Sequence, residues 1–130
     1  MTIIYHKPGA RAQTRILLVS EDFALTQSLC DGVARLGLNV ELESGSRLSM
    51  RTPNSLSYAG IILDLDIRES TGLEAIHDLY SGNPHIPILV VGEESRKYDI
   101  FFALMEGATD FLIKPIDSIL LKRKCLRLFI

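Results

Sequence analysis

The sequence predicts an α/β domain: a doubly wound, five-stranded parallel sheet in the order 2-1-3-4-5, covered by helices on both faces as a three-layer sandwich. Three observations carry that expectation. Short apolar runs (Ile16-Leu17-Leu18-Val19, Ile61-Ile62-Leu63, Ile88-Leu89-Val90-Val91) alternate with segments of helical period. Such near-continuous apolar strands fit a sheet buried on both faces, and strands separated by helices imply parallel pairing through right-handed crossovers. The run that starts at Gly60 ends abruptly in an acid, Asp64, at the carboxyl edge where open α/β sheets bind ligands.

Residues 1–14 mix Pro, Gly, Lys, Arg and His without period and read as a mostly flexible leader, in which Thr2-Ile3-Ile4-Tyr5 has the composition to pair locally as a strand. Residues 15–130 read as the folded domain. Its first strand covers residues 16–19 and stops at Ser20-Glu21-Asp22. Leu25, Leu29, Val33 and Leu36 form a helical stripe, which Asp22 is placed to cap and Gly37 to close. Residues 39–43 alternate as a second strand. The pattern is weakest over residues 44–58, with a short helix expected at 46–50 before Pro53 and several serines break it. The third strand leads through a polar loop to Gly72. Leu73, Ile76, Leu79 and Tyr80 then mark a helical face that Gly82-Asn83-Pro84 ends. Residues 87–91 are the fourth strand and 95–106 the fourth helix. Tyr98, Phe101, Phe102 and Met105 on that helix read mostly as core, with one or two exposed because four large side chains cannot all face inward. Residues 110–113 are the fifth strand, Lys114-Pro115 ends it, and the remainder is a last helix. This five-fold strand–helix order is the flavodoxin-like arrangement.

Bulk composition narrows the function. The chain has 130 residues, 47% of them hydrophobic, enough for one core without metals or disulfides. A net charge of -2 argues against a nucleic-acid surface, and the Lys122-Arg123-Lys124 run reads as a solvated face. Cys30 and Cys125 lie in no metal-ligand spacing and read as free thiols of a reducing compartment. With no membrane-length apolar stretch and no signal-peptide core, the expected location is cytoplasmic, away from membranes. His6, His77 and His85 fall on a leader, a helix face and a turn, and none reads as a catalyst or ligand.

The topology brings the ends of strands one and three together, so Ser20, Glu21 and Asp22 stand near Asp64, with Gly92 and Lys114 on the same edge. Clustered carboxylates repel unless a hard cation or a lysine neutralises them. The loop after strand one has neither glycines nor a run of hydroxyls, which counts against a flavin or dinucleotide. An electron carrier is also disfavoured by the absence of Trp. The donor set favours Mg²⁺, with an anion recruited through the metal.

The segments ILLVSED, IILDLDIRESTG, IPILVVG and GATDFLIKP together resemble the receiver domain of two-component response regulators, the CheY-like superfamily, from Ile16 to the final helix. The resemblance implies that Asp64 is the phosphoacceptor, attacking the phosphorus of a phosphohistidine to form an acyl phosphate with Mg²⁺ offsetting charge. It implies that Lys114 pairs with Asp64 or its phosphate, that the Lys114–Pro115 peptide is cis, that Phe111 is the switch aromatic, and that the Asp66 carbonyl faces the metal. Glu21, Asp64 and Asp66 are then the expected metal group. The implied partners are a histidine kinase or phosphotransfer protein. A homodimer or output-domain contact would use the face of the fourth helix, fifth strand and fifth helix; the implied role is in transcription regulation, with an output domain expected to follow in the full protein. No enzymatic turnover is implied beyond self-catalysed transfer to and from Asp64.

Three positions depart from that family's pattern. Counting back from Gly37, the usual acidic pair falls on Ser20 and Glu21, so one acid is a serine and the other is one methylene longer. Gly92 stands where the family has a threonine or serine, so no hydroxyl is present to couple to Phe111. Asp66 adds a carboxylate that offers partial compensation for Ser20. The alternative register, a one-residue slip that makes Glu21-Asp22 the acidic pair, would shorten the following helix relative to Gly37. The expectation is a degenerate receiver acting through protein–protein contacts, with Asp64 phosphorylation weak or absent. The alternatives are an ordinary Mg²⁺-dependent phosphoacceptor switch and a small-ligand-binding pseudo-receiver that uses room beside Gly92.

Overall fold

A computed structural model describes residues 3–5, 15–43, 58–66 and 85–130. Its strands are β1 (Ile3–Tyr5), β2 (Arg15–Val19), β3 (Asn39–Glu43), β4 (Gly60–Asp64), β5 (Ile88–Gly92) and β6 (Asp110–Ile113). Its helices are α1 (Phe23–Ala34), α2 (Lys97–Glu106), entered through a 3-10 turn at Glu94–Arg96, and α3 (Ser118–Phe129). The sheet order is β1-β3-β2-β4-β5-β6. Its five parallel strands β3-β2-β4-β5-β6 stand in the order the sequence predicts, second-first-third-fourth-fifth.

The strand pairing expected within residues 2–5 is present. Ile3–Tyr5 pairs antiparallel with β3, Ile3 opposite Leu42 and Tyr5 opposite Val40, and extends the sheet beyond the predicted five strands. Residues 6–14, the helix expected at 46–50, the helix after Gly72 and the turn at residues 82–84 lie outside the described residues.

Local chemistry sets the helix ends. Asp22 Oδ1 accepts the Leu25 N–H at 3.1 Å and caps α1. Gly37 takes the left-handed φ of +82° that ends that segment. Asp117 Oδ1 accepts the N–H groups of Ile119 and Leu120 at 2.9 and 3.0 Å and caps α3.

Alternate strand residues divide the core into two layers. Ile16, Leu18, Ile62, Leu89 and Val91 face α1 and α3, where they meet Leu29, Val33, Leu121 and Phe129. Leu17, Val19, Ile61, Leu63, Ile88 and Val90 face the other way, toward Ile100 and Ala103 of α2. Cys30 and Cys125 are buried free thiols in the first layer. Burial pushes the Cys125 thiol up to about 12. Burial, with the charge of Asp31, pushes Cys30 up to about 11. Neither is a reactive thiolate at neutral pH. On the second layer's side, buried Glu41 is held by Arg15 and by the Tyr58 hydroxyl, with the Arg15 guanidinium 5.0 Å from the Tyr58 ring centre.

The expectation for α2 is corrected. Tyr98, Phe101, Phe102 and Met105 are all exposed, at 75, 51, 46 and 76%. The helix buries Ile100 and Ala103 instead. Periodicity marks both stripes as apolar, and the smaller, branched side chains are the ones that fit against the sheet.

Gly60 at the start of β4 is required by close approach. A Cβ there would overlap the buried ring of Phe129 and sit 3.2 Å from the Pro87 carbonyl. Gly60→Ala is therefore expected to cost about 1–3 kcal/mol by overpacking, read as a lowered midpoint in urea unfolding. An unchanged midpoint would show that the end of α3 yields freely.

Candidate functional site

β4 is buried at all five positions, so its last residue, Asp64, is delivered into the protein at only 1% exposure. A carboxylate placed there needs its charge and its lone pairs satisfied. Asp64 Oδ1 accepts the Asp66 N–H at 3.0 Å, an Asx-type turn within its own loop. Asp64 Oδ2 accepts the Ser20 hydroxyl at 2.9 Å. The Lys114 ammonium stands 3.1 Å from Oδ1 and 3.2 Å from Oδ2.

Lys114 follows β6, where its N–H bonds the Gly92 carbonyl at 2.9 Å, and its side chain is 13% exposed. It also pairs with Asp66 Oδ2 at 2.8 Å, while Asp22 Oδ2 stands further off at 3.9 Å. Burial alone would lower the Lys114 pKa. Hydrogen bonds to Asp66 and Asp64, together with their charges, outweigh it and hold the ammonium above the ordinary lysine value.

Ser20 is buried, donates to Asp64 and accepts the Asp22 N–H at 3.2 Å. Glu21 is exposed. The Lys114–Pro115 peptide is cis. Phe111 is half-buried, with the Lys124 ammonium 4.6 Å from its ring centre. Lys124 also donates to the Phe111 carbonyl and to Asp110 Oδ1.

The expected metal group does not assemble. Among the described residues no three of His, Cys, Asp or Glu converge on a point that could hold a metal ion. Both oxygens of Asp64 already accept hydrogen bonds, and Lys114 lies between Asp64 and Asp66. Mg²⁺ needs an oxygen octahedron, and this arrangement offers carboxylates already met by cations. The residues do not fit that ion as they stand. Beside Gly92 a Cβ would lie 3.5–3.7 Å from Ile100 and Leu65, ordinary contact that accommodates a small side chain.

Arg96 was missed in the sequence. Its Nε stands 2.9 Å from Asp66 Oδ1 but out of line for a hydrogen bond, so that contact is electrostatic. One terminal nitrogen donates to the Leu65 carbonyl at 3.2 Å. The available signal was a basic residue in the loop after the fourth strand, on the edge that carries the acids. His85 is exposed and on another element.

Comparison with known proteins gives a consistent picture. A family model described as the response regulator receiver domain matches residues 16–125. The transcriptional regulatory protein QseB of Haemophilus influenzae is 29% identical over 101 residues, 78% of this chain and 46% of that protein. The chain thus spans about half the length of that curated relative. A signal receiver domain from Bermanella marisrubri superposes with a TM-score of 0.76 at 29% identity, covering 88% of this chain and 96% of that one. The receiver domain of the sensor histidine kinase PA1611 from Pseudomonas aeruginosa, solved with magnesium in its active-site cleft, superposes at 0.75. It is 23% identical and the match covers 91% and 98% of the two chains, so it speaks to the fold. Among the described residues, no helix is long and apolar enough to cross a membrane.

Replacing Lys114 by Met leaves Asp64 buried without its cation and is expected to cost about 3 kcal/mol, as for other broken buried pairs. The pH dependence follows from the raised pKa. The stability that Lys114 contributes is complete below the unfolded lysine value of about 10.4. It is lost as pH rises through the higher folded value. Urea unfolding of the two proteins should therefore differ by a constant amount across neutral pH, with the gap closing in strong alkali. A gap that widens with alkali would contradict the pairing.

Proposed function

The chain belongs to the response-regulator receiver domain family of two-component signalling, and from that premise we propose that it is a receiver of degenerate type. It works through protein–protein contact, with phosphorylation of Asp64 weak or absent. The observation that carries this reading is the state of Asp64: buried, hydrogen-bonded by Ser20 and by the Asp66 N–H, and paired with Lys114. A serine donor stands where a metal-binding acid would draw a cation in. Gly92 supplies no hydroxyl to hold a transferred phosphoryl group. The remaining roles are assigned on the same footing. Asp64 is the vestigial phosphoacceptor, Lys114 its structural counter-ion, and Phe111 a residue fixed by Lys124 rather than a mobile switch.

The partner surface in this reading is the exposed stripe of α2. Tyr98, Phe101, Phe102 and Met105 share one side, opposite the side that buries Ile100 and Ala103. A helix apolar on both sides is one that another surface covers. We assign that cover to a second copy of the domain. QseB is by name a transcriptional regulator, and pairing of receivers would serve such an output here.

Incubation with a small phosphodonor and Mg²⁺, followed by intact-mass measurement, is expected to leave the mass unchanged. A stoichiometric phosphoryl adduct, absent from Asp64→Asn, would sink the degenerate reading. In sedimentation, the double variant Tyr98→Glu, Met105→Glu is expected to shift the domain toward monomer. Its unfolding free energy should stay within about 0.5 kcal/mol of the parent, as for exposed sites. Association unaffected by the two charges would remove this face from the proposal.

A further inference from the structure

The acidic edge contains its own counter-charges. Asp64 and Asp66 face Lys114 and Arg96 at 2.8 to 3.1 Å, with Asp22 standing 3.9 Å from Lys114. Lys114 is shared between both acids. Arg96 answers Asp66 alone and belongs to a different element, the 3-10 turn at the base of α2. Asp66 draws in the same connection a second time, since its Oδ2 accepts the Glu93 N–H at 3.3 Å. Arg96 further donates to the Leu65 carbonyl and stands 3.5 Å from Asp99 on the first turn of α2. The segment between β5 and α2 is thereby folded back onto the loop that follows Asp64.

We propose that Arg96 is a tethered cation: its guanidinium takes, over Asp66, the charge-balancing place that a divalent ion would need, and so latches the β5–α2 connection across the acidic edge. A divalent ion arriving there would meet Asp64 and Asp66 already paired with cations, and would have to displace a guanidinium that returns at no translational cost. The latch also sets the base of α2, two residues ahead of Tyr98, without reference to phosphoryl transfer. This inference rests on the receiver reading of the pocket and names the residue that closes it.

The test is a titration with MgCl₂ at constant ionic strength, followed by the unfolding temperature of the whole chain. Ligand that binds the native state raises that temperature by mass action. The parent is expected to respond weakly. Arg96→Gln is expected to bind Mg²⁺ at least about tenfold more tightly, because a unit positive charge has left the immediate surroundings of the acids. Arg96→Lys, which keeps the charge, should stay close to the parent. The Arg96 side chain is 45% exposed, so its truncation opens no core. Arg96→Met, which keeps the aliphatic stem, serves as a second neutral variant. If neither the parent nor the neutral variants respond to Mg²⁺, the role of Arg96 is overturned while the degenerate reading stands. If the parent binds as tightly as the neutral variants, both are overturned.

Discussion

A charged carboxylate at the end of a fully buried strand is the constraint on which this structure turns. Asp64 cannot stand at 1% exposure without a cation, and the cation comes from β6, two strands away across β5. The Lys114–Asp64 pair therefore ties the carboxyl ends of three strands into one edge. It also explains why Ser20 matters more than its size suggests. Lys114 brings charge from one side, and the Ser20 hydroxyl meets Asp64 from β2 on the other. A buried ion pair of this kind is weak evidence of net stabilisation, because desolvation offsets much of its Coulomb energy. What it supplies is a strong penalty against any arrangement in which the partners separate.

Much of this was legible in the sequence. The five parallel strands, the Asp22 cap and the closing Gly37 follow from short-range chemistry: apolar runs, a side-chain acceptor ahead of a helix, a glycine after it. The expectation that Ser20 stands near Asp64 rests on the strand order, and the two side chains lie 2.9 Å apart. What could not be read depends on choices made in three dimensions. Which apolar stripe of α2 faces the sheet is undecided by a period of 3.6, since Tyr98, Phe101, Phe102 and Met105 fit it as well as Ile100 and Ala103 do. The pairing of Arg96 with Asp66 requires the loop after β5 to turn back on itself, and no local pattern encodes a contact thirty residues apart. For Ile3–Tyr5 the composition suggested a strand, but not its partner, which is the open side of β3.

In the degenerate reading proposed above, the arrangement separates two properties that a receiver ordinarily holds together. The fold and the placement of Asp64 and Lys114 belong to the architecture, and they persist because removing either would leave a buried charge. The groups that would make the site respond lie on other strands and contribute little to that balance. A domain of this kind can lose response and keep shape. Its surface is then free to be used for contact alone, which is consistent with the amount of aromatic surface that α2 presents.

The two altered positions are not equally entrenched. At Gly92 the nearest atoms to an added Cβ lie 3.5–3.7 Å away, so packing does not demand a glycine. A serine Cβ there would sit in ordinary van der Waals contact with Ile100 and Leu65. Ser20 is different: it is wired into Asp64 on one side and the start of α1 on the other. An acid in its place would set like charge against Asp64 and forfeit a buried hydrogen bond. A hydroxyl at residue 92 therefore asks little of the surrounding packing, whereas a carboxylate at residue 20 would remake the hydrogen bonds of Asp64 and of the entry to α1.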